Sequence, residues 1–120
     1  MNASISSASA EIIAVSQASR PFNVTIEPPG SKSETNRYLM LGALSNGISK
    51  LDSPLHAVDT DLFMDALRSI GVPVECGETW ASIHGCNSRF VGGSTVNLGD
   101  GGTPTRFMMA IATLARKPVV

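Results

Sequence analysis

A chain of 120 residues with a formal net charge of -1 suits one small domain and carries no basic field for nucleic acid or anionic lipid. Its 42% hydrophobic and 16% charged residues match a soluble globular protein, and no apolar run approaches the ~20 residues of a membrane span. Cys76 and Cys86 fit no metal-ligand spacing and read as free thiols of a cytosolic protein, so any anion site must be built locally from a few residues.

Met1 to Ala10, rich in Ser and Ala, lacks the features of a secretory signal or a mitochondrial transit peptide and reads as a short disordered lead-in. Residues 11–15 (EIIAV) and 23–27 (NVTIE) read as short strands, and Pro28-Pro29-Gly30 stops the second. Ser31 to Asn46 reads as a helix closed by Gly47; its nearly continuous apolar residues from Tyr38 to Leu44 predict burial on most sides. Ile48 to Leu51 fits a strand. A second helix is predicted from near Asp59 to Gly71, because Phe63, Ala66, Leu67 and Ile70 follow the helical period; Asp59 or Thr60 would cap it.

Val72 to Cys76 and Trp80 to His84 read as strands around a Gly77-Glu78 turn, and Ser94 to Leu98 as a further strand. A third helix follows Gly101-Gly102, with Pro104 in its first turn, and runs through Phe107, Met108, Ile111 and Leu114 to Arg116 or Lys117. Val119-Val120 reads as the start of another strand. The fold class is mixed α/β.

Two junctions carry candidate chemistry. The first is Pro29-Gly30-Ser31-Lys32-Ser33-Glu34-Thr35-Asn36-Arg37. A helix start exposes backbone N–H groups without internal partners, and the helix dipole is positive there. Ser33 and Arg37, one turn apart, share a face, and Lys32 lies beside them. This set suits a phosphate or a carboxylate. It equally fits an ordinary capped helix with solvated Lys and Arg. A P-loop fits poorly, because Ser31 stands where that motif needs Gly.

The second junction is Leu98-Gly99-Asp100-Gly101-Gly102-Thr103-Pro104-Thr105-Arg106. Adjacent glycines allow close approach of a ligand to the backbone. Thr103 can cap the helix or bond a ligand, and Arg106 can reach an anion. A plain strand-to-helix turn fits as well. Two such junctions in one small domain suggest a ligand with two anionic groups, or two anionic ligands side by side. His56 and His84 lack partners in sequence and read as structural or surface residues; Met40, Met64, Met108 and Met109 read as core.

The string PGSKSETNRYLMLGAL resembles the PGSKS-x-x-NR signature near the start of EPSP synthases, and LGDGGTPTRFMMA resembles their LGNAGTAMRPL segment. DTDLFMDALRSIGV, between them, resembles the family's helix after an acidic pair. The resemblance covers about residues 11–120. It implies carboxyvinyl transfer from phosphoenolpyruvate to the 5-hydroxyl of shikimate 3-phosphate, releasing phosphate, in the cytoplasm and without a metal or organic cofactor. By the family's motif, Lys32, Ser33 and Arg37 bind shikimate 3-phosphate. Lys32 also touches phosphoenolpyruvate and acts electrostatically in catalysis; Gly102 contacts phosphoenolpyruvate through its backbone, where glyphosate competes. Asp100, Gly101, Thr103 and Arg106 form the supporting loop.

Asp100 stands where the family has Asn, Gly101 where it has Ala, Phe107 where it has Pro, and Val58 in place of one acid of the pair. The resemblance implies a partial inside-out α/β domain built from βαβαββ units. Residues 11–27 are expected to join the other domain, and residues 28–120 to form part of the N-terminal substrate-binding domain. This chain alone is therefore expected to lack turnover and, with an exposed sheet edge, to be open to self-association, whereas the full-length enzyme would be monomeric. Three other readings compete. The sister enzyme acting on UDP-N-acetylglucosamine should show an early Lys-Asn signature. A sugar kinase would place its DGGT-like loop in a hairpin. A free-standing phosphate-binding module should close its sheet.

Overall fold

A computed structural model describes residues 13–120. The elements run α1 (Lys32–Leu44), β1 (Asn46–Asp52), α2 (Val58–Ser69), β2 (Val74–Gly77), β3 (Trp80–Cys86), β4 (Phe90–Gly92), α3 (Gly102–Ala112) and β5 (Ala115–Lys117). The mixed helix and strand class is as expected from the sequence.

The start of α1 is set by Ser31, whose Oγ accepts the Glu34 N–H at 3.3 Å; such a cap is worth about 1 kcal/mol. Thr35, Asn36, Leu39, Gly42 and Ala43 form its buried face. Tyr38 is 50% exposed and Leu41 59%, so α1 buries one stripe rather than most of its sides. Its neighbours supply cover toward β3, β1 and the other helices. The helix closes at Ser45, whose N–H bonds the Leu41 and Gly42 carbonyls. Asn46 and Gly47 already belong to β1, paired with Cys86 and Gly85.

Strands β1, β3 and β2 form an antiparallel sheet in that order. A two-residue turn, Glu78-Thr79, joins β2 to β3, with Gly77 opposite Trp80. α1 packs on β3 and β1 and α2 on β2, while α3 packs on these two helices and on β4. Leu39, Phe63, Leu67, Ile70, Ile83 and Ile111 are fully buried between them. Each such side chain contributes about 1.5–3 kcal/mol by leaving water.

Several expectations need correction. The lead-in, residues 1–10, and the first two residues of the expected 11–15 strand lie outside the described residues. Residues 13–15 and 23–27 form no strand: Ile13, Val15, Val24 and Ile26 are exposed, and no neighbouring strand completes a ladder. The cap of α2 is Ala57, not Asp59 or Thr60; Thr60 instead reaches back from the first turn to accept the Ala57 N–H at 2.9 Å.

Residues 94–98 are not a strand either, because Gly92 and Gly93 take positive φ and end β4. The chain still runs beside the C-terminal residues: Val120 N–H donates to Ser94 O at 3.0 Å and Val96 N–H to Val120 O at 2.6 Å. α3 stops at Ala112 instead of reaching Arg116 or Lys117. Ala115–Lys117 leave the helical path as β5 and pair in parallel with β4, Phe90 opposite Ala115.

Candidate functional site

The heads of α1 and α2 are fastened together through the loop between β1 and α2. Thr35, 4% exposed in α1, accepts the Leu55 N–H at 3.0 Å. Thr60, fully buried in α2, donates to the Leu55 carbonyl at 2.8 Å. Leu55 is thus held at both backbone groups, one by each helix. Gly30 presses on the same loop: a Cβ there would meet Ser53 O at 2.3 Å and Leu55 N at 2.8 Å. Only a residue without a side chain fits so close to the loop backbone.

On this frame Lys32, the first residue of α1, reaches across to Asp59 in the first turn of α2, Nζ to Oδ2 3.1 Å. The hydrogen bond from Lys32 holds the Asp59 carboxyl below the usual carboxylate range. Asp59 also abuts the second junction, since a Cβ on Gly101 would lie 3.3 Å from the Asp59 Cβ. One aspartate therefore pairs with the first junction and lies beside the second. Ser33 and Arg37 lie one turn apart on α1: the Arg37 guanidinium donates to the Ser33 Oγ and, at 3.1 Å, to the Ser33 carbonyl. So the structure unites Ser33 with Arg37 as their spacing predicts, while Lys32 is turned to α2 instead. Asn36, one turn below Lys32, is 1% exposed, and its Oδ1 has no partner among the described residues.

The head of α3 is built differently. Gly101 is buried and caps the helix without a side-chain bond. Thr103 therefore does not cap; it lies inside the first turn. Gly102 and Thr103 are exposed at the helix start, where backbone N–H groups lack intrahelical acceptors, and Pro104 carries no N–H at all. A Cβ on Gly102 would meet nothing within 4 Å, so the surface there is open. Asp100 and Arg106 are exposed on either side of this start. Phe107 anchors α3 on α2, its ring 6.3 Å from that of Phe63.

A cleft of about 600 Å³ runs along another flank of α1, between Glu34 and Tyr38 on the helix and Lys50 to Pro54 beyond it. Lys32, Ser33, Arg37 and Gly102 do not line it. The candidate residues form an open, cation-bearing surface rather than a closed cavity. Asp59, Thr35 and Thr60 are the contributors that sequence reasoning did not single out as a unit.

A family model for EPSP synthase (3-phosphoshikimate 1-carboxyvinyltransferase) matches residues 16–120. The chain belongs to the EPSP synthase family. It is 37% identical over 111 residues to a 3-phosphoshikimate 1-carboxyvinyltransferase of Methanoculleus marisnigri, a match covering 91% of this chain and 26% of that protein. Two solved structures of EPSP synthase from Acinetobacter baumannii each match with a TM-score of 0.65 at 28% identity, over 70% of this chain and 20% of theirs. The chain thus spans about a quarter of the length of the curated relative it matches. The family is one of transferases, and these matches do not favour the reading as a UDP-N-acetylglucosamine enzyme. Among the described residues, no helix is long and apolar enough to cross a membrane.

Proposed function

We propose that this chain supplies one wall of an enolpyruvyl-transfer site, binding shikimate 3-phosphate and phosphoenolpyruvate for EPSP formation in the shikimate pathway. The observation that carries the reading is the placement of Asp59, paired with Lys32 of one junction and lying beside Gly101 of the other. Two helix heads meet there, as a reaction between two anionic substrates requires.

In this reading Ser33 and Arg37 take the phosphate of shikimate 3-phosphate, the hydroxyl and guanidinium being already side by side. Charge-assisted bonds of this kind contribute about 1.5–3 kcal/mol each. The free N–H groups of Gly102 and Thr103 take the carboxylate or phosphate of phosphoenolpyruvate. Lys32 stands between the two anions and stabilises charge on the departing phosphate, exchanging its Asp59 partner for substrate oxygens. Asp100, Gly101 and Arg106 shape the loop. The open surface suits a wall that a second domain would cover, and residues 13–27, with their exposed apolar side chains, suit a strand added to that domain. Both substrates are soluble metabolites, which fits a cytoplasmic setting.

Titration of shikimate 3-phosphate into isotopically labelled protein, followed by backbone amide shifts, tests the reading. Saturable shifts centred on Lys32, Ser33 and Arg37, abolished in Arg37→Ala, are expected. Shifts centred elsewhere, or none at millimolar ligand, would refute it.

A further inference from the structure

His56 lies in the loop between β1 and α2 and makes two contacts with its ring. Nδ1 is 2.9 Å from Asp61 Oδ1, in the first turn of α2. Nε2 is 3.0 Å from the carbonyl oxygen of Gly77, at the end of β2. A carboxylate and a backbone carbonyl are acceptors only, whereas a neutral imidazole has a single N–H. Both contacts can be hydrogen bonds only when both ring nitrogens carry protons. From this geometry we infer that His56 is a proton-operated latch: as imidazolium it fastens the β2–β3 turn to the head of α2, and on deprotonation it must release one of the two.

The surroundings support the assignment. The hydrogen bond to Asp61 raises the His56 pKa, assisted by the Gly77 carbonyl and by the Asp61 charge, against a smaller opposing effect of burial. Asp61 is the charged group that faces the ring from α2; the other acids of that helix are engaged elsewhere, Asp59 by Lys32 and Asp65 by Arg68. From the sheet the ring meets the neutral Gly77 carbonyl, with Glu78 next in the turn. The ring is 33% exposed, so protons exchange freely with solvent. Because the folded pKa lies above the ordinary value, about 6.5, the latch stabilises the fold fully below that pH and is lost as pH rises through the folded pKa. The first turn that it holds also carries Asp59, so opening the latch loosens the seat of the Lys32 ion pair.

The test is an NMR titration of the whole chain from pH 5 to pH 9, following the His56 ring and the Glu78 amide, whose nitrogen is bonded to the Gly77 carbonyl. Both should titrate with one midpoint above 6.5, and Asp61→Asn should lower that midpoint. Thermal melts should show the unsubstituted chain losing stability between pH 6 and pH 8.5 relative to His56→Gln. A His56 midpoint at or below 6.5, or a Glu78 amide that does not follow it, would overturn the proposal.

Discussion

The heads of α1 and α3 face the same physical situation, unpaired backbone N–H groups at the positive end of a helix dipole, and meet it by opposite means. α1 has a side-chain cap, the Ser31 Oγ accepting the Glu34 N–H, and its side chains are tied locally: Arg37 folds onto Ser33, Lys32 pairs with Asp59, and Thr35 grips the neighbouring loop. α3 has a glycine cap, no side-chain bond and an open surface at Gly102. The difference divides the labour. α1 contributes fixed side-chain charge on a braced frame, and α3 contributes bare backbone donors that a ligand can approach closely.

Removing the brace should show the largest effect. Thr35→Val keeps the shape of the side chain but leaves the Leu55 N–H without its acceptor. An unsatisfied buried donor costs about 1–3 kcal/mol, which corresponds to a fall of roughly 10 °C in Tm for a domain near 100 residues. A melt within a degree of the parent would show that the strap is dispensable and that α1 is held by its apolar face alone.

The glycines of α3 sharpen the comparison at a smaller scale. At Gly101 an added Cβ would lie 3.0 Å from both Leu98 O and Pro104 Cγ, so Gly101→Ala should destabilise by about 1 kcal/mol. At Gly102 there is room, and alanine is the better helix former, so Gly102→Ala should melt no lower than the parent. It should nonetheless weaken phosphoenolpyruvate-induced amide shifts at residues 101–103, because the methyl group stands over the free N–H groups. If Gly102→Ala melted below Gly101→Ala, the assignment of one glycine to packing and the other to ligand access would be reversed.

The two heads also differ in how far the sequence exposes them. Local periodicity made α1, α2 and the β2–β3 hairpin legible, and Ser33 with Arg37 needed only helical spacing. Strands β4 and β5 escaped because each has three residues and its partner lies far along the chain. Phe107, Met108, Ile111 and Leu114 continue the helical period, so nothing local announces that α3 ends at Ala112 and that β4 draws the next residues into a sheet. The Lys32–Asp59 pair, and the grip of Thr35 and Thr60 on Leu55, join residues whose separation in sequence has no period. The motifs identified the junctions, but only the tertiary structure shows that Asp59 connects them.

Asp59 itself should have the smallest effect on stability and the most informative effect on binding. Its carboxyl is held below the usual value, about 3.9, chiefly by the Lys32 hydrogen bond. Its contribution is therefore present above that value and lost as pH falls toward the folded pKa. Lys32 is exposed and Asp59 half-buried, so the pair is open to solvent, where such interactions are weak and screened by salt. Melts of the parent and Asp59→Asn should then coincide at pH 7, the parent falling slightly faster below pH 4. Binding should separate the two roles open to Asp59. If it merely neutralises Lys32 between substrates, Asp59→Asn frees an ammonium and tightens shikimate 3-phosphate a few-fold, most at low salt. If it places Lys32, the same substitution weakens binding, and α1 then depends on α2 for the position of its charge. The solvent-accessible ion pair and the open surface at Gly102 favour the first outcome.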